Sequence, residues 1–99
     1  MDTTTEVFYT VALCDFPALP PAERAAAEVR YSRALERALG TPHAVARAYG
    51  AWCCAAEGDG SAEDLALAAA WAKAADAARQ AGFRGLSEDE GAYFEVRLG

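Results

Sequence analysis

Glu6-Val7-Phe8-Tyr9-Thr10-Val11-Ala12-Leu13 near the start of the chain and Ala92-Tyr93-Phe94-Glu95-Val96-Arg97-Leu98 at its end decide the fold. Both stretches are dense in β-branched and aromatic residues, which suit a pleated, half-buried strand. In the first, Val7, Tyr9, Val11 and Leu13 share one face and Phe8, Thr10 and Ala12 the other. In the second, Phe94, Val96 and Leu98 oppose Tyr93, Glu95 and Arg97. Everything between them reads as helix. The expected class is therefore α+β, a small β-α-α-α-β domain with its two terminal strands paired and packed on three alanine-rich helices. With strand character at both ends, residues 1–99 read as one complete domain.

Three helices follow from caps and periodicity. Asp15-Phe16-Pro17-Ala18-Leu19-Pro20-Pro21 is a semi-rigid connection, because its prolines neither extend a strand nor sit inside a helix. A first helix is predicted from Pro21 or Ala22 to Leu39, ending at Gly40, with Ala27, Tyr31, Ala34, Leu35 and Ala38 facing the core. Thr41-Pro42 then supplies an N-cap and a first-turn proline. The second helix carries Val45, Ala48, Tyr49, Trp52 and Ala56 on its predicted inner face, and Gly50 within it reads either as a close approach of another helix or as a tolerated defect. Glu57-Gly58-Asp59-Gly60 is a turn. Ser61 caps a third helix whose expected core face is Leu67, Ala70, Trp71, Ala74 and Ala78. Gly82 is its expected left-handed terminator, and Phe83 folds back as the cap contact.

Hydrophobic residues make up 54% of the 99 residues, yet roughly a quarter of the chain is alanine, which buries little area. A core built this way rests on a few large side chains and on close helix packing. The formal net charge is −6, which disfavours phosphate backbones and hence nucleic acid. The charge is segregated. Phe16 to Tyr49 holds five arginines and three glutamates, a net of +2, whereas Gly50 to Gly99 holds four basic and nine acidic residues, a net of −5. Arg30, Arg33 and Arg37 recur at i, i+3 and i+7, a stripe along the first helix that reads as a solvated face or as a docking surface for a carboxylate-rich partner. The acids of Glu57 to Asp64 and Glu88 to Glu90 are the complement that a second copy would offer.

No apolar run reaches membrane-spanning length, and Met1-Asp2-Thr3-Thr4-Thr5-Glu6 has no signal-peptide character. Three cysteines do not suggest a secreted disulfide framework. The expected location is the cytoplasm, no membrane association is expected, and eight arginines to one lysine suggest a bacterial source. No residue pattern specifies a cofactor or a metal. Cys14, His43, Cys53 and Cys54 are ligand types without ligand spacing, and Glu57 to Asp64 lacks the aspartate spacing of a calcium loop. With one histidine and no evident nucleophile–base set, catalysis has little support. Three readings of function remain. The first is a non-enzymatic protein-interaction domain, an adaptor or regulator, that forms a homodimer. The second is a small-molecule-binding domain with Tyr49, Trp52, Trp71 and Tyr93 lining an apolar pocket. The third is an enzyme using Cys54, on the outer side of the second helix near Arg47, as a reactive thiol.

Overall fold

The computed structural model describes residues 9–58, 60–86 and 91–98. Its elements run β1 (Tyr9–Cys14), α1 (Pro21–Leu39), α2 (Pro42–Ala56), α3 (Ala62–Gly82) and β2 (Tyr93–Leu98). This is the α+β, β-α-α-α-β layout read from the sequence. Glu6, Val7 and Phe8 of the expected first strand lie outside the described residues, as do Asp59 and the Glu88-Asp89-Glu90 run. The two strands form one antiparallel ladder, pairing Tyr9 with Leu98, Val11 with Val96 and Leu13 with Phe94. Directly opposed residues share a face. Tyr9, Val11, Leu13, Phe94, Val96 and Leu98 therefore look toward the helices, while Thr10, Ala12, Cys14, Tyr93, Glu95 and Arg97 form the other face. The molecule is 21 Å across its thinnest axis, the depth of one sheet layer on one helix layer.

Local chemistry sets each boundary. Thr41 Oγ1 accepts from the Ala44 amide at 3.0 Å and Pro42 follows it, so α2 starts where its first amides find a partner. Ser61 and Asp64 close a reciprocal capping box at the start of α3. Gly40 ends α1 with φ +110°, a conformation costly for any residue with a Cβ. Gly82 acts differently from the expected left-handed terminator. It is the last residue inside α3, and the cap is Phe83 at φ −85°. A Cβ on Gly82 would sit 2.5 Å from Cζ of Phe94. The glycine is a seat for an aromatic ring, which stacks on Tyr31 at 4.3 Å and meets Phe83 at 4.8 Å.

α3 is the central helix, packed between α1 and α2. That position corrects its predicted core face. Ala68, Trp71, Ala74, Ala78 and Gly82 are buried, Leu67 is half-buried and Ala70 is exposed. In α2 the buried residues are Val45, Ala48 and Ala51, with Trp52 and Ala56 exposed and Tyr49 half-buried. Small residues line the α2–α3 contact because two helices flanked on several sides must approach closely. In α1, Ala27, Tyr31 and Leu35 are buried and Ala38 is exposed. Gly50 marks no tight helix contact: an added Cβ would meet only Leu98 Cδ1, at 3.9 Å. Leu13, Leu35 and Val45 are the largest fully buried side chains, each contributing about 1.5–3 kcal/mol by burial.

The sheet is fastened to α1 by polar groups. The Tyr9 hydroxyl donates to Glu36 Oε2 at 2.5 Å and lies 2.5 Å from Ser32 Oγ. Burial, reinforced by the Glu36 hydrogen bond, pushes this phenol up to about 12, so the proton remains on the tyrosine. The Leu13 amide donates to Glu28 Oε2 at 2.8 Å, and Arg24 donates to the carbonyls of Leu13 and Phe16, both at 3.3 Å. No helix among the described residues is long and apolar enough to cross a membrane.

Candidate functional site

α1 presents Arg30, Arg33 and Arg37 on one side, next to the C-terminal end of α3. Arg30 is half-buried, donating from Nη2 to the Gly82 carbonyl at 2.9 Å and from Nε to the Ala81 carbonyl at 3.3 Å. These carbonyls belong to the last turn of α3, which carries partial negative charge; the Ala81 carbonyl also accepts from the Arg84 amide at 3.3 Å, so Arg30 is a further donor to it. Arg30 thus ties the end of α3 to α1. Arg33 and Arg37 are exposed, and Arg84, just beyond α3, joins them. Together with Ala34 and Ala81 these four arginines line an open groove of about 250 Å³.

The remaining arginines are committed elsewhere. Arg24 binds backbone carbonyls, Arg47 lies 3.5 Å from Glu63, Arg79 lies 3.6 Å from Asp76, and Arg97 lies 2.9 Å from Glu95. Arg33, Arg37 and Arg84 have no carboxylate within 4.0 Å among the described residues. Clustered like charges on a helix surface cost a few tenths of a kcal/mol per pair, so folding alone does not favour the arrangement. A carboxylate or another anion entering the groove would meet several guanidinium groups, each able to bind it through paired N–H donors.

The structure brings together three of the four aromatics considered as a pocket lining. Tyr49 packs edge-on to buried Trp71 at 5.0 Å and lies 6.1 Å from Trp52, which is 42% exposed. Tyr93 stands exposed on the opposite face of the sheet. Burial raises the Tyr49 phenol above its usual value, with hydrogen bonding to Cys53 second.

Cys14, Cys53 and Cys54 are free thiols. Cys14 makes long contacts to the Ala12 carbonyl at 3.8 Å and Glu95 Oε1 at 4.0 Å. Cys53 is half-buried and Cys54 exposed in the last turn of α2, as their helical positions imply. Arg47, the residue weighed as an activator of Cys54, has its guanidinium next to Glu63. His43 in the first turn of α2 and the Cys53-Cys54 pair in its last turn stand at opposite ends of that helix, and Cys14 is on β1. Among the described residues no three metal-ligand side chains gather at one point.

Periodicity along α1 reveals the Arg30-Arg33-Arg37 stripe but not the fourth member of the groove. Arg84 lies 47 positions beyond Arg37 in a turn, and only the packing of α3 against α1 brings it there. The capping role of Arg30 has the same origin. Compared with known proteins, the chain matches no family model, no curated protein and no solved structure.

Proposed function

We propose that this chain is a small non-enzymatic protein-interaction domain, homodimeric and cytoplasmic, whose α1 groove receives a carboxylate-rich segment of a partner protein. The observation that carries the reading is the collection of Arg33, Arg37 and Arg84 around Arg30 without a neutralising carboxylate among the described residues, in a chain of net charge −6. An acidic peptide meets local positive charge there. A long nucleic-acid backbone would also meet the repulsion of the rest of the molecule. Three free thiols suit a reducing compartment.

The test is affinity capture from the source cell with wild type and with an Arg33→Ala/Arg37→Ala/Arg84→Ala variant, both checked for native circular dichroism. A partner retained by wild type, lost from the variant and released by moderate salt is the expected result, since exposed ion pairs weaken as the screening length shrinks. Binding of synthetic poly-glutamate should weaken in parallel. Equal retention of the same partners by both proteins would sink the proposal.

A further inference from the structure

The two edges of the sheet differ. On β1, the amide and the carbonyl of Leu13 both go to α1 side chains, Glu28 and Arg24. The backbone groups of Leu13 therefore point outward, away from β2, while its side chain stays in the core. Antiparallel ladders alternate hydrogen-bonded and non-bonded pairs. The same parity directs the backbone groups of Val11 on β1, and of Phe94, Val96 and Leu98 on β2, away from the shared ladder. α1 thus guards the end of β1 nearest Leu13. On β2, no described residue donates to or accepts from the outward groups of Phe94, Val96 and Leu98. Natural sheets cover or disrupt such an edge unless it is used for pairing.

The residues along β2 define what can pair there. Opposed antiparallel residues must both direct their backbone groups into the new ladder or both direct them out of it, so a two-fold axis passes through a residue pair. An axis at residue 95 sets Glu95 against Glu95, and an axis at residue 97 sets Arg97 against Arg97. An axis at Val96 sets Glu95 against Arg97 of the second copy, twice, and Phe94 against Leu98 of the second copy, twice. Only this central register is electrostatically self-complementary. Within one chain Arg97 already grips Glu95, with Nε at 3.1 Å and Nη2 at 2.9 Å. Across the axis the four charges form a square of alternating sign. Leu98 lies on the helix-facing side yet is 51% exposed, so the helix layer leaves this end of β2 open to a neighbour.

We infer that two copies of this chain join β2 to β2 in antiparallel fashion about a two-fold axis at Val96, giving a four-stranded sheet in the order β1-β2-β2-β1. The inference rests on the homodimer reading above and specifies its geometry. Every outward amide and carbonyl of Phe94, Val96 and Leu98 then meets a partner, and the Leu98 side chain is covered by Phe94 of the second copy.

Charge reversal tests it. Glu95→Arg alone sets arginine against Arg97, and Arg97→Glu alone sets glutamate against Glu95. Each single variant should self-associate about ten- to a hundredfold more weakly than wild type by sedimentation velocity. Mixing the two variants restores both opposite-charge pairs, and the mixture should dimerise like wild type. No intrachain effect of either substitution can produce that rescue. In a dimer of labelled and unlabelled wild-type chains, isotope-filtered NMR should show contact between the α-protons of Glu95 and Arg97 of different copies, which tests the register without any variant. A wild-type dimer that both single variants leave intact, or that lacks this contact, overturns the β2 pairing and leaves the interaction reading standing. A mass of 10.4 kDa at all concentrations overturns the homodimer itself, while capture through the arginine groove decides the interaction reading separately.

Discussion

Gly82 and Gly50 both lie in helices, and they differ in what one methyl group would meet. At Gly82 the added carbon falls 2.5 Å from Phe94 Cζ and 2.7 Å from Cε2, inside an aromatic stack with Tyr31 and Phe83 on the other sides. The ring has nowhere to retreat without disturbing both neighbours. Overpacking of this kind costs about 1–3 kcal/mol. The helix propensity gained on replacing glycine with alanine is at most about 1 kcal/mol, and less at a terminal position. Gly82→Ala is therefore expected to lower stability. At Gly50, inside α2, the methyl meets only Leu98 Cδ1 at an ordinary 3.9 Å. Gly50→Ala should raise stability by up to about 1 kcal/mol, or roughly 4–8 °C in melting temperature for a domain of this size. Thermal unfolding of the two variants should bracket wild type. A stabilised Gly82→Ala would show that the Phe94 stack yields easily. From sequence, Gly82 reads as a helix terminator and Gly50 as either a close-packing site or a tolerated defect; the structure gives the close contact to Gly82 and leaves Gly50 as the tolerated defect. A glycine next to a helix end reads as a terminator, and nothing local reveals an aromatic ring delivered by Phe94 of β2, twelve positions later.

Among the helices, α1 ended and α2 and α3 began where capping chemistry implied, because Gly40, Thr41-Pro42 and Ser61 act through their own backbone neighbours. The faces were less legible. In α3, alanine occupies positions all round the helix, so the pattern has little contrast and its leucines dominate the reading. Leu65 is 56% exposed while Ala68, Ala74 and Ala78 are buried, since a central helix needs small residues on the sides where α1 and α2 approach. The same close packing buries Ala51 of α2 and turns Trp52 outward. Of the candidate site, the arginine stripe could be read from helical period alone, whereas its junction with Arg84 and α3 depends on tertiary packing. That junction is testable as an element. Arg30 holds the last turn of α3 through two carbonyls. Arg30→Ala should cost about 1–2 kcal/mol by loss of charge-assisted hydrogen bonds at a partly solvated site. Arg30→Lys should recover only part of it, because a single ammonium does not reproduce the guanidinium fork. Arg33→Ala, at an exposed position one turn along, should stay within about 0.5 kcal/mol of wild type. Urea unfolding ranks the three, and an Arg30→Ala as stable as Arg33→Ala would remove the capping role.

For the whole molecule, a two-stranded sheet is a weak unit whose edges need an explanation. The helix layer supplies part of it by covering one face, and α1 supplies more by taking both backbone groups of Leu13. An assembly that pairs through β2 and is guarded at β1 closes at two copies. Removing the guard should open it. Glu28→Ala frees the Leu13 amide, and the outward groups of Val11 lie beside it on the same edge. Each dimer with β2 paired at its centre would then present a receptive β1 edge at both ends. Growth by further edge pairing becomes possible, as it is for any sheet whose outer strands are unblocked. The expected outcome is a concentration-dependent rise of species larger than the dimer in sedimentation velocity. Lysine placed at the same position should suppress those species, since charge beside an open strand discourages pairing. The Leu13 hydrogen bond contributes about 1 kcal/mol to folding, so the fold should survive the change and circular dichroism should remain native. A Glu28→Ala protein that stays dimeric at high concentration would show that Arg24 and the helix layer block the β1 edge without Glu28. A monomer under the same conditions would point to Glu28 as a support of β1 itself, through which the pairing of β2 is held in place.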